Sequence, residues 1–114
     1  MVIKQSFTLC DTTLSRRTRD VFGRDLAAGK WQYRVTFRGE GGIRVQIQQR
    51  HPSMSGWQLL MESHRSTRSN ELVGEFEIQR PGQVKFIFSG NSLMDNITDI
   101  AVDDVEYKCE ITPL

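Results

Sequence analysis

The sequence is poor in the residues that build reactive centres. It has two histidines, two cysteines and three prolines in 114 residues. His51 and His64 stand in segments that read as loops, and neither has a Cys or His partner at metal-ligand spacing. No Ser/His/Asp set, Gly-rich phosphate loop or HExxH pattern is present, so nothing points to an enzyme. No apolar run approaches the roughly 18 residues of a membrane span. Charge of one sign is also missing. The formal net charge is +1, so no global field draws the chain to nucleic acid or to an anionic membrane. The opening "MVIKQSFTL" is too short and polar for a signal peptide. Two readings follow: a cytosolic chain, or a mature fragment whose Met1 was added for expression. Helical periodicity is absent as well, and there is no internal repeat, linker or low-complexity segment.

What is present is a period of two. Trp31, Tyr33, Val35 and Phe37 alternate with Gln32, Arg34, Thr36 and Arg38. After "EGG" (40–42), Ile43, Val45 and Ile47 alternate with Arg44, Gln46 and Gln48. Two such runs joined by a glycine turn predict a β-hairpin. Further strands are expected at 57–63, with Trp57, Leu59 and Met61 on one face, at 72–78, and at 84–88 after the "RPGQ" turn. Gly74 falls in phase with Leu72, Phe76 and Ile78, which signals a bulge or a close contact. Ile3, Phe7 and Leu9 mark a first strand, whereas 11–29 reads mostly as loop. "HRSTRSN" (64–70) lacks any apolar residue and reads as a solvated loop. Length and strand count predict one domain over 1–114: an all-β antiparallel sandwich of jelly-roll type with about seven or eight strands, its first and last strands close together. The predicted core comprises Phe7, Trp31, Tyr33, Val35, Phe37, Ile43, Val45, Ile47, Trp57, Leu59, Phe76, Ile78, Val84, Phe86, Phe88, Val102, Val105 and Tyr107.

Several residues invite a functional reading beside a plainer one. Cys10 and Cys109 are either one disulfide tying the ends of the chain or two buried thiols. Asn96-Ile97-Thr98 is a glycosylation sequon, and with a disulfide it points to an oxidising compartment. Arg16, Arg17 and Arg19 form a basic cluster that binds phosphate, a sulfated glycan or an acidic partner, or is simply solvated. Trp31 and Trp57 are either stacking platforms for sugar rings or core. In the closing stretch, Ile100 and Val102 differ in parity from Val105, Tyr107 and Cys109. The slip falls at Asp103-Asp104 and predicts a β-bulge. An inward aspartate there needs partners, either backbone donors or a structural Ca²⁺ completed by Asp11, Asp99 or the loop at 91–95.

"DIAVDDVEYKC" (99–109) resembles the closing motif of MAM domains, and "GWQLLMES" and "GEFEIQRPGQVKFIFSG" follow that family's strand order. This resemblance implies an extracellular adhesion module. "LAAGKWQYRVTF" and "AVDDVEY" are also similar to jelly-roll carbohydrate-binding modules, and the Pro-Gly strand pair to GOLD domains. All three imply a β-sandwich. The expected function is non-enzymatic recognition of a protein at the cell surface, with self-association left open. The alternatives are glycan binding through exposed aromatics and a cytoplasmic GOLD-like adaptor.

Overall fold

The computed structural model describes residues 2–15, 19–39, 41–50, 55–65, 69–90 and 104–114. They form eight strands and no helix: β1 (Phe7–Leu14), β2 (Arg19–Leu26), β3 (Gly29–Arg38), β4 (Ile43–Arg50), β5 (Trp57–His64), β6 (Glu71–Ile78), β7 (Gly82–Gly90) and β8 (Val105–Pro113). Sheet I has the order β1-β8-β3-β6 and sheet II the order β2-β7-β4-β5. All pairs between these strands are antiparallel. The architecture is the expected β-sandwich, and the first and last strands pair directly.

The connectivity departs from the expected hairpin. β3 lies in sheet I and β4 in sheet II, so "GEGG" carries the chain from one sheet to the other. The "RPGQ" turn does the same between β6 and β7. Among consecutive strands only β4 and β5 pair with each other. Alternation cannot distinguish a hairpin from such a crossing, because both send the apolar face of each strand to the same core. Gly39 adopts φ +93°, a left-handed backbone in which a residue with a Cβ is strained.

The inward faces meet in one cluster. Trp31, Tyr33, Val35, Phe76, Tyr107 and Ile111 from sheet I face Ile43, Val45, Ile47, Val84, Phe86 and Phe88 from sheet II. Phe76 and Phe86 touch edge to face across the sandwich at 6.0 Å, with Phe88 and Tyr107 4.8 Å apart. Gly74 is the close contact that its phase suggested: a Cβ there would overlap the ring and hydroxyl of Tyr33. That hydroxyl also hydrogen-bonds Ser63 of the opposite sheet, and burial pushes its pKa up.

Four expectations need correction. The stretch 11–29 is not mostly loop: β1 runs to Leu14, and β2 is a full strand whose Phe22 and Leu26 point inward. Arg19, Val21, Gly23 and Asp25 take the outward phase, and the inward phase also carries Asp20 and Arg24, which an edge strand tolerates, so the apolar signal is thin. Trp57 and Leu59 are not core. They are 37% and 49% exposed, because Leu60 is a bulge: Gln48 faces Leu59 and Ile47 faces Met61. Phe7 is only half-buried at the rim. Val102 lies outside the described residues.

The fourth correction concerns the solvated loop expected after His64. Arg65 is 2% exposed. Its Nε donates to the Ser69 carbonyl at 2.7 Å and its Nη1 to the Gly41 carbonyl at 2.8 Å. Its guanidinium lies 4.8 Å from the Phe37 ring centroid. Arg65 therefore joins the β3–β4 crossing to the β5–β6 connection, and its charge is compensated by carbonyl dipoles and the ring.

Candidate functional site: the outer face of sheet II

The registers of sheet II define its outward side chains row by row. Asp25, Gln83, Arg50 and Trp57 form one row, and Gly23, Lys85, Gln48 and Leu59 the next. Val21, Ile87, Gln46 and Glu62 follow, then Arg19, Ser89, Arg44 and His64. At about 3.4 Å per residue the four rows span roughly 20 Å along the strands. Three glutamines, an exposed tryptophan and four cations share this surface.

Trp57 sits on edge strand β5 at one end of the face. Lys85 projects from β7 across β4 and holds its ammonium 4.4 Å from the indole centroid. That cation–π contact fixes the ring's orientation. At the same end of the sandwich, but between the two sheets, lies a cleft of about 150 Å³ lined by Gln49, Arg50, Gln58, Leu60, Glu77 and Arg80 among others, which Trp57 does not line. Gln49 Nε2 donates to the Arg80 carbonyl at 2.8 Å and closes one wall. At the other end of the face, both oxygens of Glu62 are engaged. Arg44 Nη2 lies 2.8 Å from Oε1, and Gln46 Nε2 donates to Oε2 at 2.9 Å. Arg44, then Gln46, lowers the Glu62 pKa and holds the carboxylate ionised.

A flat apolar ring face beside amides that both donate and accept suits a polyhydroxylated ligand. Its C–H faces pack on the indole while its hydroxyls meet the glutamines. Sheet I also has a larger groove of about 410 Å³, lined by Asp11, Thr36, Arg38, Glu106 and Lys108 among others. Its lining, not its size, counts against it: the Phe37 and Tyr107 rings beside it are buried, so no aromatic face is offered there.

The remaining sequence candidates are scattered. Trp31 is 1% exposed, with Nε1 donating to the Ala27 carbonyl at 3.0 Å and its ring edge-on to Phe7; it is core and meets no ligand. Arg19 is exposed on β2, at the opposite corner of the outer face from Trp57. Arg16, Arg17, Asn96, Asp103 and His51 lie outside the described residues, as does the bulge expected at Asp103. Asp11 pairs with Lys108, four ladder positions or about 13 Å from the level of Asp104. Asp11 and Asp104 are thus not brought together, and no group of three or more potential metal ligands occurs among the described residues.

The expected disulfide is not formed. Cys10 stands directly opposite Cys109 in the register, yet both are free thiols. The Cys10 thiol is instead engaged with the Tyr107 hydroxyl, which donates to Asp20 Oδ2 at 2.7 Å. Burial pushes the Cys10 pKa up to about 11, and that of Cys109 higher still.

No family model and no curated protein matches this chain in sequence. Solved structures match its fold. CorA, a surface-associated copper-binding protein of Methylomicrobium album BG8, has a TM-score of 0.62 at 9% identity, covering 96% of this chain and 92% of that one. PliG, a periplasmic inhibitor of g-type lysozyme from Aeromonas hydrophila, has a TM-score of 0.56 at 8% identity, with 96% and 87% covered. A family 6 carbohydrate-binding module has a TM-score of 0.51 at 12% identity, with 98% and 85% covered. Identities this low speak to the fold alone. The chain is a β-sandwich similar in architecture to these domains, and the MAM resemblance gains no support from them.

Proposed function

We propose that this chain is a non-enzymatic recognition module that binds a glycan on the outer face of sheet II. The observation behind this reading is Trp57: a large apolar ring held at the surface by a bulge, with Gln48 and Gln83 on the same face. Exposed tryptophan is costly to leave in water and is most simply explained by a ligand that covers it. A carbohydrate-binding module among the similar structures supports the reading, and a location outside the cytoplasm is supported by the surface-associated and periplasmic names of the other two.

Affinity electrophoresis through gels containing polysaccharides tests it. Trp57→Ala should lose roughly tenfold in affinity while its melting temperature stays near that of the parent. Equal retardation of parent and variant by every polysaccharide would sink the reading. Protein recognition on the same face is the second reading, favoured by Val21 and Leu59, which are 50% and 49% exposed there. Silence toward all glycans with a correctly folded parent would leave that reading standing.

A further inference from the structure

We infer that the glycan taken by this face is anionic, bearing carboxylate or sulfate groups; this rests on the glycan reading above. Charge on the face is unbalanced. Among the described residues Arg19, Arg44, Arg50 and Lys85 point outward from sheet II against only two carboxylates, Asp25 and Glu62. Glu62 is already neutralised by Arg44. Asp25 stands on β2, two strands or about 10 Å from Arg50, which is a Debye length at moderate salt. Lys85 is on the strand next to Asp25 but turns its ammonium away, over Trp57 on β5, and Arg19, Arg50 and Lys85 form no ion pair among the described residues.

The position of Lys85 adds a second argument. Its ammonium lies over the indole, on a surface that a sugar ring would use. A neutral sugar that displaces it forfeits the cation–π contact and offers no anion in return. An acidic sugar exchanges that contact for a charge-assisted hydrogen bond, with Arg50 in the neighbouring row as a second donor. The opposite side of the molecule acts in the same sense. On the outer face of sheet I, Asp11, Glu71, Glu75, Glu77, Glu106 and Glu110 outnumber Lys30, Arg34, Arg38 and Lys108. An anionic chain is repelled there and oriented toward sheet II. The whole-chain charge of +1 hides this asymmetry.

The test is titration with polygalacturonate and alginate as carboxylate probes, dextran sulfate as the sulfate probe, and dextran and xylan as neutral probes. Parent, Lys85→Gln, Lys85→Arg and Trp57→Ala are compared at about 0.01 M and about 1 M salt. The expected result is binding to at least one anionic probe that weakens at high salt. Lys85→Gln should weaken it about fivefold to tenfold, Lys85→Arg should preserve it, and Trp57→Ala should also weaken it. Binding to dextran sulfate alone assigns sulfate as the group; binding to the polyuronates alone assigns carboxylate. Neutral probes bound as tightly as anionic ones, or tighter binding by Lys85→Gln, overturns the inference while leaving glycan recognition intact. Anionic binding unaffected by both Trp57→Ala and Lys85→Gln is bulk polyelectrolyte attraction and overturns it too. No binding by any probe, with the parent folded, overturns the glycan reading as well.

Discussion

The two outer faces of the sandwich are built on the same strand geometry and present opposite chemistry. Sheet I turns out charges of both signs with an excess of carboxylates, and three of its four cations are paired: Arg34 to Glu71 at 3.0 Å, Lys108 to Glu110 at 3.9 Å, Arg38 to Glu106 at 4.0 Å. Sheet II turns out glutamines, Trp57 and cations of which, among the described residues, only Arg44 has an ion-pair partner within the face. A face whose charges are mutually screened makes a soluble surface with little to offer a ligand. A face with unspent donors and a partly exposed ring, contacted by Lys85, keeps its interactions for something else. The difference puts the exposed tryptophan and most of the unpaired cations of the described strands on one side of the sandwich.

The largest effect should come from breaking what both faces share. Phe86 is fully buried and meets Phe76 across the sandwich. Phe86→Ala should cost about 3–5 kcal/mol in urea denaturation and remove ligand binding together with the fold. A loss below about 1 kcal/mol would mean that the sheets do not depend on this contact. Next come the Trp57 and Lys85 substitutions, which should weaken binding with little change in melting. Their counterpart on sheet I is Arg34→Ala. It removes a half-exposed ion pair, should cost at most about 1 kcal/mol, and should leave glycan affinity untouched. A binding defect in Arg34→Ala equal to that of Trp57→Ala would erase the distinction between the faces. The smallest effect belongs to Glu62. Its folded pKa lies below the ordinary value of 4.5, so its contribution to stability is present above that value and is lost as pH falls through the folded one. Melting curves of Glu62→Gln and the parent should differ slightly at neutral pH and converge in acid; a gap that widens in acid would contradict this ion pair. The side chain is more than a third exposed, so solvent screening keeps the effect small.

Much of the fold was legible. The alternation in 31–38 and 43–48 gave the inward residues of β3 and β4 correctly, and the in-phase Gly74 announced the Tyr33 contact. The partners of those strands were not legible, because a glycine-rich connection looks the same whether it turns within a sheet or crosses between two. β2 was obscured by Arg24 and Asp25, which an edge strand tolerates and a central strand does not. The site was less legible still. Trp57 is in phase with Met61 in the sequence, and only the bulge at Leu60 sends it outward. Arg65 carries no sign of burial in its neighbours; it is buried because the Gly41 and Ser69 carbonyls are waiting for its donors.

The sequence by itself determined that the chain is β-rich and which side of most strands is apolar. Both are local properties, set by the two-residue period of an extended backbone and by the preference of β-branched and aromatic side chains for it. Only the tertiary structure decided which strands pair, where one extra residue shifts the phase, and which cations meet no carboxylate across a ladder. Those depend on residues distant in the chain, and they place Trp57 and Lys85 together on one face of sheet II.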